Sequence, residues 1–531
     1  MDMVYVDGAG RDTSKRCLPD TREGILSEIK DWIDNTGEDV PRVLWLSGTA
    51  GKGKSAIAHT IADWFLERGD PGACFCFDRT READHRHEKI FSTIARDLAD
   101  RDPIIRRALA SVVRNDNELR HTKDITRQWK EFVLGPVGAA SQVAAPVLMV
   151  IDALDESGEV RSRERILQML AGNLDPVSSE PVKLPANIRI LVTSRPLDDI
   201  SELLDTASHV RHVSMDDLPA ASTENDIRLY ISKKFSGPRN AFEDEHVKEL
   251  AQKADGLFEW ARLACEYIKG TNKAGVDPMD CFEDLVAGTS ESQTGTYLLD
   301  DMYHRILAEI IPEDTKAMTR VRSVMGQVLA SLEPLSITAL NAIRRHFPGV
   351  AGSYNVELVM APLGSLLAGT TDSHSPIRPL HASFYDFLTD GSRSKKFFID
   401  KSLAFDGLAF ASLQVMQTGL HFNICSLESS YLSNSLIPDL EQRVKESIPS
   451  ELSYSCRFWG THVQATSFDS SLAQEVGAFL DEERLLFWLE ALSLLKGVGG
   501  SVTTLSSIAD WLEVRGLTSF LRPMDSHGLW S

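Results

Sequence analysis

The class of fold that we expect follows from the stretch Val43-Leu-Trp-Leu-Ser-Gly48-Thr-Ala-Gly-Lys-Gly-Lys54-Ser55. Its apolar run is typical of a buried strand and leads directly into a glycine-rich loop. The loop fits the pattern G-x-x-x-x-G-K-[ST], in which backbone N–H groups approach phosphate oxygens, the lysine reaches the terminal phosphates and the hydroxyl ligates Mg²⁺. A helix beginning near Gly53 adds its positive end. The pattern predicts a nucleotide site at Gly48, Thr49, Ala50, Gly51, Lys52, Gly53, Lys54, Ser55 and Ala56.

A second stretch supplies the acidic half of such a site. Four apolar residues, Leu148–Ile151, precede Asp152, and Asp155 and Glu156 follow in the same loop. Mg²⁺ prefers oxygen ligands, and α/β sheets bind ligands at the carboxyl ends of their strands. We therefore expect Asp152 to ligate Mg²⁺ together with Ser55. Asp155 and Glu156 are the candidates for orienting or activating a water molecule; the alternative is an acidic helix cap.

A third apolar run, Ile188–Thr193, ends at Ser194 and Arg195. An arginine at the end of a strand suits a group that contacts the γ-phosphate, so Arg195 is a catalytic candidate. The alternative is an arginine that pairs with Asp198 or Asp199.

Strands and helices alternate from residue 41 to about residue 214. The strand candidates are Val43–Leu46, Ala73–Phe77, Val147–Ile151, Ile188–Thr193 and Val210–Ser214. Helical patterns fill the gaps at 54–68, 87–100, 103–115, 125–134 and 160–172. Such alternation predicts an α/β P-loop NTPase domain with a parallel sheet and helices on both faces.

The remainder of the chain is mostly helical, and Ile377–Leu380 is a candidate wing strand. We expect an N-terminal linker and helix at 1–40, a nucleotide-binding domain at 41–215 and a small helical domain at 216–290. A winged-helix domain at 291–400 and a C-terminal helical domain at 401–531 follow.

Composition limits the classes of function. The 531 residues carry a net charge of −21, which argues against a general binder of nucleic acid or anionic membranes. The first residues have no basic region followed by an apolar core, and no apolar run reaches the ~20 residues that span a bilayer. The seven scattered cysteines favour buried thiols, with Cys74 and Cys76 on one strand face. We expect a cytoplasmic protein.

The three motifs together resemble the NACHT domain, a signalling branch of the P-loop ATPases. Asp152-Ala-Leu-Asp-Glu156 has that domain's form of the acidic motif, and Val192-Thr-Ser-Arg-Pro196 resembles its sensor strand. More narrowly, the chain is similar to fungal NACHT proteins related to NOD-like receptors. Further segments of that group are matched at Cys17–Arg22, Ala254–Ala261, Glu333–Ser336, His381–Leu388, Asn423–Leu427 and Leu486–Glu490.

The resemblance implies a mechanism. A diphosphate form (ADP or GDP) is closed and inactive, and exchange for ATP or GTP with Mg²⁺ opens the chain for self-oligomerisation and signalling to an unknown effector protein, with slow hydrolysis as a reset. His381 matches the histidine of the winged helix that reaches back to the diphosphate. Its alternative is a core histidine beside Phe384 and Phe387.

Other hypotheses stay open at the sequence level. A metabolic P-loop enzyme such as a small-molecule kinase would need an acceptor pocket, for which no motif appears. A helical scaffold without nucleotide is opposed by the intact Lys54, Ser55 and Asp152. Family members commonly carry an effector domain and repeats, for which this sequence shows no clear match, and the sequence leaves open whether the chain is a truncated or split member. The charged segment Arg79–His87 is interpreted as a solvated loop.

Overall fold

The computed structural model describes most of the chain. The described ranges are 5–6, 8–35, 37, 39–81, 87–140, 146–158, 160–172, 184–236, 242–269, 277–287, 295–348, 354–429, 431–481 and 483–513.

A five-stranded parallel sheet forms the centre of the amino-terminal half. Its strands are β1 Val43–Ser47, β2 Gly72–Cys76, β3 Val147–Asp152, β4 Ile188–Ser194 and β5 Val210–Ser214. Their order across the sheet is β2-β3-β4-β1-β5, so β4 separates the strand before the glycine-rich loop from the strand that ends at Asp152. All five strands match the ranges predicted from the sequence to within one or two residues, and the predicted α/β fold class is confirmed.

Helices cover this sheet and continue beyond it. The helices that accompany the sheet are α1 Glu23–Asp34, α2 Lys54–Glu67, α3 Ile90–Arg101, α4 Pro103–Asn115, α5 Ile125–Gln128, α6 Gly135–Ala140, α7 Val160–Leu170 and α8 Asp198–Leu204. A π-helical turn, Trp129–Leu134, joins α5 to α6. Five more follow the sheet: α9 Ala220–Phe235, α10 Asp244–Lys253, α11 Phe258–Lys269, α12 Pro278–Ala287 and α13 Thr296–Ile310.

The strands are buried on both faces, which explains their uninterrupted apolar sequences. Alternate residues of β1 face opposite sides: Val43 and Trp45 lie in one apolar cluster, while Leu44 and Leu46 lie in the other. The first cluster includes residues of α3 to α8, and the second includes residues of α1 and α2. This double layer makes the sheet a rigid support for the loops at its carboxyl edge.

A buried arginine joins α1 to the sheet. Arg189 of β4 is 2% exposed and donates from Nε to the carbonyl oxygen of Trp32 at 3.3 Å and from its terminal nitrogens to the carbonyl oxygens of Asn35, Ala186 and Ile188. A cation at the end of α1 satisfies carbonyl groups that the helix leaves without internal partners. Burial lowers the pKa of Arg189 to about 10, so the guanidinium stays charged at neutral pH.

Contacts divide the chain into two compact units. The first comprises residues 1–306 with the short segment His381–Ser383, and the second comprises Leu307–Leu380 and Phe384–Ser531. The helices that follow α13 are α14 Thr315–Ala330, α15 Ile337–Arg344, α16 Glu357–Met360, α17 Ala382–Thr389, α18 Gly391–Ser394, α19 Ser402–Gly419, α20 Leu440–Ser447, α21 Ser450–Ala465, α22 Ser470–Asp481, α23 Arg484–Leu494 and α24 Ser501–Glu513.

The second unit also contains a small antiparallel pair, β6 Leu367–Ala368 and β7 Arg378–Pro379. Strand β7 falls inside the predicted wing strand Ile377–Leu380. Two-residue strands do not establish a winged helix, which stays a prediction, as do the domain boundaries. None of the described helices is long and apolar enough to cross a membrane.

A buried histidine makes the stability of the second unit depend on pH. His462 of α21 is fully buried, its Nε2 lies 2.7 Å from the Tyr454 hydroxyl, and its Nδ1 has no partner among the described residues. Burial lowers the pKa of His462 from 6.5 to about 3. Between pH 6.5 and about pH 3, His462 is therefore protonated in the unfolded chain and neutral in the folded chain.

We predict that the free energy of unfolding of the second unit falls as the pH drops from 6.5 towards 3, by up to about 1.4 kcal/mol per pH unit from this histidine. His462→Gln keeps an acceptor for Tyr454 but does not titrate, so its stability should depend less steeply on pH. Urea unfolding at several pH values, monitored through the hydrogen exchange of the backbone amides of α21, measures this free energy of unfolding. The exposed His421→Gln is the control, and equal slopes in both variants would contradict the prediction.

Candidate nucleotide-binding site

The loop between β1 and α2 has the backbone that its glycines predict. Gly48 and Gly51 have φ of 152° and 87°, values that side-chain-bearing residues rarely adopt. A Cβ at Gly48 would lie 2.8 Å from the Cβ of Met215, and one at Gly51 would lie 3.2 Å from the Cβ of Glu259. The N-cap residue of α2, Gly53, makes no side-chain hydrogen bond to the first turn of the helix, so its first N–H groups are suited to an anion.

Lys54 lies at the mouth of this loop. Its ammonium group donates to the carbonyl oxygens of Gly48 at 2.6 Å and Thr49 at 2.9 Å. Burial lowers the pKa of Lys54, and the carboxylates of Asp155 and Asp152 oppose that shift. The lysine is thus held at the loop backbone and interacts electrostatically with two acids.

Asp152 ends β3 in a buried position, with 3% of its surface exposed. Its Oδ1 accepts a hydrogen bond of 2.5 Å from Thr193 Oγ1, and the same hydroxyl accepts from the backbone N–H of Ala153 at 3.0 Å. Ala153 adopts a left-handed conformation, with φ of 56°, which turns the chain sharply after the strand. Thr193 on β4 therefore orients the carboxylate.

Asp155 and Arg195 form an ion pair across the ends of β3 and β4. Arg195 Nε lies 3.1 Å from Asp155 Oδ2, and the backbone N–H of Arg195 donates to Asp155 Oδ1 at 3.2 Å. Asp199, the alternative partner considered from the sequence, instead pairs with Arg163 at 2.7 Å. The structure thus brings Arg195 into the same group as Lys54 and the acidic loop.

Glu156 contacts a residue that the sequence interpretation missed. Its Oε2 accepts from the backbone N–H of Arg79 at 3.3 Å and lies 3.8 Å from Arg79 Nε. Burial raises the pKa of Glu156 to about 7, although Arg79 opposes the shift. The interpretation of Arg79 as part of a solvated loop was wrong, because the turn after β2 lies beside the end of β3; residues 82–86 lie outside the described ranges. A charged residue directly after a strand was the signal available.

Asp216, which also was not predicted, follows β5 and holds the outer side of the loop. Its carboxylate accepts from the backbone N–H of Thr49 at 2.9 Å and from the Thr49 hydroxyl at 3.0 Å. Lys52 Nζ lies 3.7 Å from the same carboxylate. This acid therefore fixes the loop on the side away from Asp152.

Arg22, immediately before α1, joins the loop to the helices that follow the sheet. It is 5% exposed and donates to the carbonyl oxygen of Lys52 at 3.0 Å and to Thr223 Oγ1 at 3.1 Å. Its guanidinium lies 4.8 Å from the centre of the Phe258 ring, a distance typical of cation–π contacts. The available signal was the segment Cys17–Arg22, which was noted only as a resemblance.

Glu259 of α11 connects the helices that follow the sheet to the glycine-rich loop. Its backbone N–H donates to the carbonyl oxygen of Gly51 at 3.2 Å, and its carboxylate makes two hydrogen bonds to Arg262, at 2.9 and 2.7 Å. His381 belongs to the same compact unit and interacts electrostatically with Glu259 and Lys54. The predicted histidine thus lies within the electrostatic reach of the loop.

The described residues include one group with the composition of a soft-metal site. Cys76 Sγ lies 3.7 Å from Cys74 Sγ and 3.8 Å from His59 Nε2. His59 Nδ1, however, accepts from the backbone N–H of Asp12 at 3.0 Å, so the proton of the neutral ring is on Nε2. A metal needs a lone pair on that nitrogen. In this geometry the group consists of packed thiols and a histidine.

Ser47, His212 and Asp205 have the spacing of a nucleophilic triad. Ser47 Oγ lies 2.7 Å from His212 Nε2, and His212 Nδ1 lies 2.8 Å from Asp205 Oδ1. Ser47 is only 2% exposed, and the His212 ring stacks on Trp45 at 4.0 Å. A substrate cannot reach such a hydroxyl, so the Ser47–His212 contact joins β1 to β5, and Asp205 joins the end of α8 to β5.

The parallel sheet, the glycine-rich loop and the acidic strand end define a P-loop NTPase fold. The family model described as nephrocystin 3, N-terminal, matches residues 20–195. The chain is 25% identical over 534 aligned residues to vegetative incompatibility protein HET-E-1 of Podospora anserina, a fungal NACHT-domain protein. That match covers 93% of this chain and 36% of the relative, so the chain spans about a third of the relative's length. The resemblance to fungal NACHT NTPases that the motifs predict is confirmed by these two matches.

A solved structure, PCH-2 of C. elegans, also matches, over 49% of this chain and 66% of that one, at 13% identity. Its TM-score is 0.26, so the assignment of the fold rests on the strand order and the loop.

We predict that Lys54→Ala weakens the binding of a nucleoside diphosphate with Mg²⁺ by about one to two orders of magnitude, because the buried phosphate charge loses its cationic hydrogen-bond donor. Calorimetric titration with ADP and with GDP measures this. Lys233→Ala, which removes an exposed ion pair with Asp20 in the same unit, is the control. Unchanged affinity in the Lys54 variant would move the nucleotide site elsewhere.

Proposed function

We propose that this protein is a nucleotide-dependent signalling switch of the NACHT type that binds ATP or GTP with Mg²⁺ and hydrolyses it slowly. The observation that carries the proposal is the convergence of Lys54, Asp152, Glu156 and Arg195 at one edge of the sheet with His381, which comes from far along the sequence. A phosphate site built from so distant a segment can report the bound nucleotide to the rest of the chain.

The residues present fit a magnesium ion. Ser55 offers a hydroxyl and Asp152 a carboxylate, both hard oxygen ligands, and Thr193 already orients the carboxylate through one oxygen. Ser55 and Asp152 would hold the ion, which when bound neutralises charge on the phosphate oxygens. Lys54 would bind the phosphates, and Arg195, held by Asp155, is the residue we assign to the γ-phosphate.

Glu156 is the residue we assign to water activation. A carboxyl group with a pKa of about 7 can accept a proton from water at neutral pH, since general bases work best near the operating pH. Arg79 holds this carboxyl from the end of β2. Because a pKa of about 7 leaves part of the Glu156 carboxyl groups protonated at neutral pH, only a fraction of the molecules has an active base. This is consistent with slow turnover.

His381 is the residue we assign to the resting state. A ring N–H that donates to a diphosphate would stabilise the closed chain, and the differential affinity for the two nucleotides would shift the equilibrium between closed and open forms. The segment His381–Ser383 belongs to the first unit, and the next residue, Phe384, belongs to the second. A contact between His381 and the nucleotide would therefore lie three residues before the second unit in sequence. Opening would then allow self-oligomerisation and contact with an effector protein.

The biological setting is inferred from the fungal relative. HET-E-1 is described as a vegetative incompatibility protein, so we propose a role in fungal self/non-self recognition or innate immunity, in the cytoplasm. The identity of the base, adenine or guanine, follows from the ligand that the purified protein releases.

We predict that purified protein releases a bound nucleoside diphosphate on denaturation, identified by chromatography and mass spectrometry. His381→Ala should weaken diphosphate binding by about tenfold to a hundredfold more than triphosphate binding, because it removes a donor to a charged group. His374→Ala, on an exposed part of the preceding segment, is the control. Protein that carries no nucleotide and ignores added nucleotide with Mg²⁺ would overturn the proposed switch.

We also predict that hydrolysis accelerates as the pH rises through about 7, because the base acts only when Glu156 is deprotonated. Glu156→Gln should retain binding, lose this pH dependence and slow hydrolysis by about a hundredfold or more. Arg79 stabilises the carboxylate, so Arg79→Gln should move the midpoint to higher pH.

Single-turnover rates across the pH range measure both effects. Arg81→Gln, in the same turn after β2, is the control for Arg79→Gln. A pH profile in the Glu156 variant equal to that of the unmodified protein would remove Glu156 from the catalytic role.

A further inference from the structure

Three polar side chains from two distant segments form a hydrogen-bonded chain within the first unit. His381 Nδ1 lies 2.6 Å from Ser383 Oγ, and Ser383 Oγ lies 2.7 Å from the hydroxyl of Tyr303 on α13. Ser383 is 1% exposed and Tyr303 is fully buried. Two hydroxyl groups placed this deeply need defined partners, since an unpaired buried hydroxyl is costly.

The backbone decides which ring nitrogen of His381 carries the proton. The N–H of Ser383 donates to His381 Nδ1 at 3.2 Å, so Nδ1 presents its lone pair. The proton of the neutral ring is therefore on Nε2. If Nδ1 carried the proton, two N–H groups would face each other at that distance.

The direction of the two hydroxyl bonds follows from this tautomer. Ser383 Oγ can only donate to an unprotonated Nδ1, so its remaining lone pairs accept from the Tyr303 hydroxyl. Burial raises the pKa of the Tyr303 phenol, which keeps that proton in place as a donor. The chain of donation therefore runs from Tyr303 through Ser383 to His381.

The charges around His381 keep the ring neutral. Burial lowers the pKa of His381; Glu259 opposes this, while Arg195, Arg262 and Lys54 reinforce it. The carboxylate of Glu259 accepts two hydrogen bonds from Arg262, which weakens its stabilisation of a protonated His381 ring. A neutral ring has one N–H to offer, so the identity of that nitrogen matters.

We propose that Ser383 and Tyr303 are positioning residues that hold His381 as the neutral tautomer with its proton on Nε2, which is then the N–H offered to a nucleoside diphosphate. The inference rests on the proposed function only in its last step, the contact with the diphosphate. The tautomer and its hydrogen-bonded support are properties of the chain itself.

The supporting hydroxyls can be tested without nucleotide. A donor on the lone pair of Nδ1 favours the neutral ring, so removing it raises the pKa of His381. In ¹⁵N-histidine-labelled protein, Ser383→Ala and Tyr303→Phe should each raise the pKa of His381 by roughly 0.4 to 1 unit, the equivalent of one hydrogen bond. The His381→Gln spectrum assigns the resonance, and Tyr385→Phe, which removes a phenol bonded to Lys401 at 3.0 Å, is the matched control.

The same variants test the link to nucleotide. Ser383→Ala and Tyr303→Phe should weaken diphosphate binding by about twofold to tenfold and leave triphosphate binding unchanged. A ring with its proton on Nδ1 in the unmodified protein, or a pKa of His381 that neither variant changes, would overturn the proposal. If the pKa of His381 responds but His381→Ala binds diphosphate normally, the hydroxyl chain stands and the proposed role of His381 in the switch fails.

Discussion

Strand β4 lies between β1 and β3, and hydrogen bonds on both sides hold the ends of all three strands at one level. Leu46 of β1 pairs with Thr193, and Ile151 of β3 pairs with Val192, so Thr193 reaches the carboxylate of Asp152. The phosphate loop, the acidic loop and Arg195 all begin within a residue or two of this level. Because the strands are parallel and covered on both faces, these groups cannot separate without disrupting the core.

Opposite charges from different segments support one another around the loop. Arg195 pairs with Asp155, and Glu156 contacts Arg79. A buried charge without a partner would be costly, so each pair restrains both segments that supply it. Phosphate groups would enter a site whose charges are already held in place, which reduces the reorganisation that binding requires.

The segment His381–Ser383 brings a distant part of the sequence into the first compact unit. It packs with the first unit, although the residues on both sides of it in sequence belong to the second. A ligand that interacts differently with this segment in its two nucleotide forms would change the free energy of that packing, and such differential binding is what a switch requires.

Local patterns were sufficient to predict the sheet, the glycine conformations of the loop after β1 and the position of Asp152 at the end of β3, because uninterrupted apolar runs and glycines act through nearby backbone. The residues that hold these groups in place could not be predicted from local sequence patterns. Arg79, Asp216, Arg22 and Glu259 lie tens to hundreds of residues from the groups they hold, and an ordinary arginine or acid carries no local signal of its partner. Strand order brings the first two to the loop, helix packing brings the others, and the ring proton of His381 depends on a backbone N–H and two hydroxyls. Residue identity therefore specifies the chemistry of this protein, while the pairing of distant segments specifies which of its charged groups act together.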